Sequence, residues 1–212
     1  MIKSHTHKIK IYSDTVCGWC YIGHLRIQKI LSSLKDTSFS IKHVPFQLNP
    51  DMPKEGIKRL DYLNFKFGSR ESAQPMYRNM CNEAIKEGLN FNLEKIKFTP
   101  NTVLSHILIN LALKSNIETK VLLEVFQSYF IDCLDIGDPN ILIKIGNSNG
   151  ISGTKIKEAF TSSKELENIT NINQAARKMG INAVPFFEIN NKTYISGLQN
   201  NENLTRAIKA QL

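Results

Sequence analysis

In "KIKIY" (residues 8–12) the apolar Ile9 and Ile11 alternate with lysines, the period of a half-buried strand. Ser13 and Asp14 end it, and either could cap a following helix. The period then lengthens. Ile27, Ile30, Leu31 and Leu34 fall at i, i+3, i+4 and i+7, which predicts a helix beginning near Cys17 with one buried stripe. In "SFSIKHVPF", Phe39 and Ile41 alternate with Ser40 and Lys42, a second strand that runs parallel to the first if the helix between them is a crossover.

From Asn49 the character changes. "NPDMPKEG" is rich in turn residues, and the hundred or so residues after it carry helical periodicity with little strand signal. "CNEAIKEGLN" should end a helix at Gly88, and "TPNTVLSHILINLALK" reads as a capped helix after Pro100. "DIGDPN" should stop one helix at Gly137 and start another with Asp138 as cap and Pro139 at its first position; "NSNG" and "ARKMG" mark two more helix ends. Strand character returns in "VPFFEI" and "KTYISG", joined by Asn190-Asn191 as a hairpin turn, and "NENLTRAIKAQL" closes as a helix. The order βαβ, helices, ββα is that of an α/β thioredoxin fold interrupted by an all-helical insertion. It places the thioredoxin-like part at residues 1–55 and 165–212 and the insertion at residues 56–164. No internal repeat or low-complexity stretch is evident.

The chain has 212 residues, 42% of them hydrophobic, enough for one large domain or a small one with an insertion. The opening "MIKSHTHKIK" is basic, yet no signal-like apolar stretch follows, and no run approaches the roughly 18 residues that span a membrane. The expectation is a soluble, cytoplasmic protein with no membrane partner. The 27 Lys+Arg against 19 Asp+Glu give a net charge of +8. The lysines are scattered singly rather than in a stripe interleaved with aromatics, which points to a solvated basic surface and not to a nucleic-acid partner.

Candidate chemistry sits at the first strand-to-helix turn, where Cys17 and Cys20 flank Gly18 and Trp19. A C-x-x-C on a βαβ pattern reads as a redox motif. A thiolate in the first turn of a helix faces unpaired N–H groups and the positive dipole end. Cys17 should therefore ionise more readily than a free thiol, at roughly 8.5, while Cys20, one turn on, is shielded. Zinc would need a fourth ligand beyond Cys17, Cys20 and His24, with Cys81 and Cys133 standing alone. Covalent haem would need His where Tyr21 stands. A pair of inert core cysteines stays open. Pro185 sits at the first residue of a strand, a permitted place for a residue with no N–H to give a ladder. A cis bond after Val184 would turn that backbone toward the cysteines, although only roughly 5–6% of X-Pro bonds are cis.

The stretches "SDTVCGWCYIG", "VPFQLNPDMPKEG", "DYLNFKFGS", "FTPNTVLSH", "DIGDPN" and "AVPFFEINNKTYISGLQ", in that order and spacing, resemble the DsbA-like thioredoxin-fold family of the FrnE type. That family is related to 2-hydroxychromene-2-carboxylate isomerases and kappa-class glutathione transferases. The resemblance runs almost end to end. It implies active cysteines at Cys17 and Cys20, a cis peptide at Val184-Pro185, and His106 in the insertion facing the site. It also implies that Gly197 and Gln199 border a glutathione-binding region. Two departures matter. Family members commonly carry Pro where this chain has Gly18. The isomerases and kappa transferases generally have Ser where it has Cys17, and keeping both thiols favours disulfide exchange.

The resulting expectation is a thiol-disulfide oxidoreductase working through a mixed disulfide at Cys17, without cofactor or metal. Its partners would be protein thiols or glutathione as co-substrate. The alternatives are a glutathione-dependent isomerase or transferase and a non-catalytic peptide-binding module. Related sites span about −270 to −120 mV, and Gly18-Trp19 does not fix the potential. Asp14 is read first as a helix cap and second as a proton acceptor for Cys20. Within the apolar "LSHILINL" helix, His106 reads as a hydrogen-bonded core histidine. Phe46, Asn49 and Pro50 are expected to shape the cleft floor, Trp19 to be partly exposed beside it, and Cys81 and Cys133 to be unpaired residues in helical patterns.

Overall fold

A computed structural model describes residues 6–212. Strand β1 (His7–Ser13) lies between β2 (Phe39–Pro45) and β5 (Phe186–Ile189), and β6 (Thr193–Ser196) completes a four-stranded sheet ordered β2-β1-β5-β6. β1 pairs parallel with β2, Ile9 opposite Ile41, and antiparallel with β5, Ile11 opposite Phe187. The parallel pairing requires a crossover, and α1 (Gly18–Ser33) supplies it. The β5–β6 hairpin turns through Asn190 and Asn191, both at positive φ (53° and 55°), the conformation that a two-residue primed turn demands and that Asn tolerates. Asn190 Oδ1 also accepts from the Lys8 N–H at 2.8 Å, tying the turn to β1.

Between β2 and β5 the chain forms α2 (Arg59–Phe67), α3 (Arg70–Lys86), α4 (Val103–Leu113), α5 (Glu118–Phe130), α6 (Pro139–Ser148), α7 (Gly153–Thr161) and α8 (Ser163–Lys178); α9 (Asn201–Lys209) follows the hairpin. A two-residue ribbon, β3 (Ile57–Lys58) with β4 (Phe98–Thr99), adds strand pairing to the otherwise helical middle. Gly88, Gly150 and Gly180 follow α3, α6 and α8 at φ of 80° to 83°, the left-handed closure that the sequence placed there. Asp138 caps α6 by accepting from the Asn140 N–H, with Pro139 in the first turn.

One predicted boundary moves. The helix expected to stop at Gly137 ends at Phe130, seven residues earlier in sequence. Cys133 adopts φ 58°, and Asp135 Oδ1 accepts from the Gly137 N–H at 2.9 Å in a local turn that competes with the helix. Gly137 is needed for clearance instead, since a Cβ there would sit 2.9 Å from Pro100 Cβ.

Two apolar cores follow from the alternation of β1. Ile9 and Ile11 join Ile27 and Ile30 of α1, Phe187 and Ile189 of β5, and Leu204 and Ile208 of α9. Each fully buried aliphatic side chain of this kind contributes about 1.5–3 kcal/mol. Tyr12 points the other way and joins a larger core with Phe46, Ala176 of α8, Leu108 and Ile109 of α4, Phe126 and Phe130 of α5, and the two cysteines. The end of β1 and the start of α1 are thereby packed against the helical middle. Among the described residues no helix is long and apolar enough to cross a membrane.

Candidate active site

The turn from β1 into α1 brings the cysteines to the sheet's end. The Cys17 N–H donates to the Asp14 carbonyl at 3.1 Å, and the Cys17 carbonyl accepts from the N–H groups of Cys20 (3.0 Å) and Tyr21 (3.2 Å). Cys17 is thus the N-cap residue, and no side chain caps the helix. The expected caps are engaged elsewhere. Asp14 Oδ2 accepts from the Leu48 N–H at 2.7 Å, and Ser13 Oγ sits between two histidine rings. Both residues are buried, so these bonds satisfy polar groups that water cannot reach, and the helix N-terminus is left for Cys17.

The Val184-Pro185 bond is cis, and Cys17 Sγ donates to the Val184 carbonyl at 3.6 Å. Cys17 is 5% exposed and Cys20 fully buried, and both are free thiols. Burial raises the Cys20 thiol well above its ordinary value. The hydrogen bond and charge of Cys17 add to this, as does the Asp14 carboxylate, while a main-chain hydrogen bond from Asp14 opposes it. Cys20 is thereby held as a thiol.

Over residues 8–209 the sequence matches the family described as the DSBA-like thioredoxin domain. The chain belongs to that family. It is 27% identical over 205 residues to the uncharacterized protein YwbO of Bacillus subtilis, covering 96% of both chains. A probable DsbA oxidoreductase from Streptomyces coelicolor superposes with a TM-score of 0.88 at 25% identity, over 97% of this chain and 89% of that one. The cytosolic disulfide reductase DsbM of Pseudomonas aeruginosa, in its structure with GSH, shares the fold at a TM-score of 0.64 and 11% identity, over 96% and 98% of the two chains.

The sulfur pair has a tight collar. A Cβ on Gly18 would press into Met80 Sδ and lie 3.1 Å from Phe91, so this position is walled by α3 and the loop after it. Gly23 lets α1 approach β5, since a Cβ there would meet Pro185 Cγ at 3.1 Å and Phe187 at 3.2 Å. The Gly197 N–H donates to the Pro185 carbonyl at 2.8 Å. Trp19 is half-buried beside the pair. A cavity of about 550 Å³ opens on the far wall of this collar, lined by Phe91, Tyr77, Arg59, Arg78 and Cys81 among others. Neither Cys17 nor Cys20 lines it.

A clamp fixes α1 to its neighbours. Arg26 Nε donates to Glu87 at 2.8 Å, its Nη2 to Glu83 at 2.5 Å and its Nη1 to the Gln199 carbonyl at 2.8 Å, while Lys29 donates to Glu87 at 2.7 Å. Burial alone would raise Glu87, but Lys29 and Arg26 outweigh it and hold the carboxyl below the usual range. Gln199 therefore meets the helix of the cysteines through its main chain.

The structure brings Cys17, Gly18, Cys20, Asp14, Val184, Pro185 and Gly197 together at one end of the sheet. Phe46 is fully buried beneath the Arg177 guanidinium, 4.7 Å from its ring centroid. Asn49 is half-buried and accepts from Lys66, and Pro50 is exposed. His106 is fully buried behind Asp14. Cys81 lies in α3 as expected, whereas Cys133 sits in the loop after α5 and donates to the Asn92 carbonyl at 3.3 Å. The sequence reading missed the contacts of Ser13 with His24 and His43 and of His43 with His106. Histidines on two different helices and a strand carry no mutual signal until the parallel register and the packing of α1 and α4 bring them together. The described residues contain no group of three or more His, Cys, Asp or Glu side chains placed to hold a metal ion.

Proposed function

We propose that the chain is a thiol-disulfide oxidoreductase that exchanges a Cys17-Cys20 dithiol with disulfide partners through a mixed disulfide at Cys17. The observation that carries this reading is the asymmetry of the pair. Cys17 forms the uncapped N-terminus of α1 beside the Val184 carbonyl, and Cys20 is buried behind it. In the reducing direction the Cys17 thiolate attacks one sulfur of a substrate disulfide and displaces the other as a thiolate. Cys20 then gives up its proton, Asp14 being the nearest carboxylate, and attacks Cys17 Sγ; the Cys17–substrate bond breaks and the second substrate thiolate leaves. Two electrons pass to the substrate and the enzyme is left as a disulfide. Oxidation of a substrate dithiol is the same path reversed.

Substrates are protein segments that present an extended backbone to Val184, or glutathione. The likeness to a reductase crystallised with GSH supports glutathione as a co-substrate. The cytoplasm is the proposed compartment. Residues 1–55 and 165–212 are proposed as the thioredoxin-like unit and 56–164 as the insertion, the second boundary falling in the first turn of α8. Retention of Cys17 favours exchange over the glutathione-dependent isomerase reading. The test is insulin reduction driven by a dithiol, with Cys17→Ser and Cys20→Ala variants. Activity should vanish with Cys17→Ser, and Cys20→Ala should accumulate mixed disulfides at Cys17. A folded Cys17→Ser protein that still reduces insulin would overturn the assignment.

A further inference from the structure

Behind the sulfurs, four elements converge on a buried chain of polar groups. Asp14 directly follows β1, His24 lies on α1, His43 on β2 and His106 on α4, and all are at most 4% exposed. Ser13 Oγ lies 3.0 Å from His24 Nε2 and 2.9 Å from His43 Nδ1. His43 Nε2 lies 3.4 Å from His106 Nδ1, with the rings stacked at 5.5 Å between centroids. His106 Nε2 stands 3.4 Å from Asp14 Oδ1. These last two atoms are buried with no aligned hydrogen bond, and they are complementary: a donor position facing a carboxylate oxygen.

Counting protons gives the chain a direction. Burial pushes His24 down to about 3 and, with the charges of His106 and His24, holds His43 well below its ordinary value, so the rings of His24 and His43 carry one N–H each. Ser13 has one proton to give. If it donates to His43 Nδ1, His43 donates from Nε2 to His106 Nδ1, and His106 must present Nε2–H to Asp14. The opposite orientation would aim a ring lone pair at a carboxylate and suits only a protonated Asp14. The remaining neighbours are few. Leu48 N–H donates to Asp14 Oδ2, and Thr15 and Ser105 bond each other. On α8, Asn173 accepts from the Gln47 N–H and Arg177 donates to the Gln47 carbonyl, and from α1 Cys17 and Cys20 face Asp14.

We propose that His106, oriented through His43, Ser13 and His24, is a positioning residue that holds the Asp14 carboxylate in its proton-accepting form for Cys20. The inference rests on the oxidoreductase reading. In the resolving step the Cys20 S–H proton passes to Asp14, giving a carboxylic acid and a thiolate. That thiolate forms the Cys17–Cys20 bond and expels the substrate thiolate, and Asp14 returns its proton to solvent or to the departing thiolate to complete the cycle.

The test uses the full chain and a peptide disulfide, following formation of the Cys17 mixed disulfide and its release separately against pH. His106→Leu should slow release about tenfold near neutral pH, the loss of a hydrogen bond to a charged group. It should move the rising limb of the release profile to higher pH and leave formation unchanged within about twofold. His106→Gln, which keeps an N–H, should recover part of the rate. Equal slowing of both steps, or an unchanged release profile, overturns the inference. Nitrogen NMR of the unmutated protein covers a variant that fails to fold: His106 should be the Nε2–H tautomer in the reduced state, and an Nδ1–H tautomer refutes the chain. If the parent forms no mixed disulfide at all, the oxidoreductase reading falls and takes this inference with it.

Discussion

Replacing Gly23 by Ala sets two known effects against each other at the point where α1 meets β5. Ala inside a helix is favoured over Gly by about 0.8–1 kcal/mol. The added methyl would lie 3.1 Å from Pro185 Cγ and 3.2 Å from Phe187 Cζ, inside the 3.5–4.0 Å at which carbon atoms attract. Phe187 is fully buried among Ile9, Ile11 and Leu204 and has nowhere to go, and the Pro185 ring is rigid. Overpacking of this kind costs about 1–3 kcal/mol, so the overlap should win by about 1 kcal/mol. For a chain of this length that corresponds to a fall in Tm of roughly 2–4 °C. Relief of the overlap on the Pro185 side would displace Val184, whose carbonyl contacts Cys17 Sγ. Disulfide exchange should therefore slow several-fold. Urea unfolding and stopped-flow exchange on the same protein measure both. A midpoint raised with an unchanged slope, together with an unaltered exchange rate, would refute the argument and show that helix propensity governs this position.

In the reduced protein Cys17 should alkylate before Cys20, because Cys20 is fully buried and its thiol is pushed up; mass spectrometry of partly modified protein showing Cys20 modified first would reverse the roles. Glu87→Gln should destabilise the fold by about 1.5–3 kcal/mol, since it weakens charged hydrogen bonds to a buried Arg26 that keeps Glu83 and the Gln199 carbonyl. Glu87's folded pKa is depressed, so its stabilisation is present above the unfolded carboxylate value and fades as pH falls through the folded one. Acid unfolding curves of the variant should accordingly be flatter below about pH 4.3. Replacing Cys81 and Cys133 by Ala should leave exchange intact, as burial raises both thiols and neither is bonded to Cys17 or Cys20; activity lost from a folded double variant would show otherwise.

Sequence periodicity alone determined the strands, the crossover helix, the hairpin and its Asn-Asn turn, because these depend on which residues recur at two or 3.6 positions and on which tolerate positive φ. The C-x-x-C at a helix start was legible for the same reason: its meaning lies within four residues. Only tertiary structure decided what surrounds it. Asp14 and Ser13 have the right chemistry and place to cap α1, yet burial commits them to the Leu48 N–H and to histidine rings, because a polar group away from water must take the partner that packing supplies. The need for Gly at positions 18 and 23 appears only when Met80, Phe91, Pro185 and Phe187 arrive from elements far along the chain. The polar chain from His24 to Asp14 depends on the parallel register that sets β2 beside β1 and on α4 packing behind both, distances that no local pattern encodes.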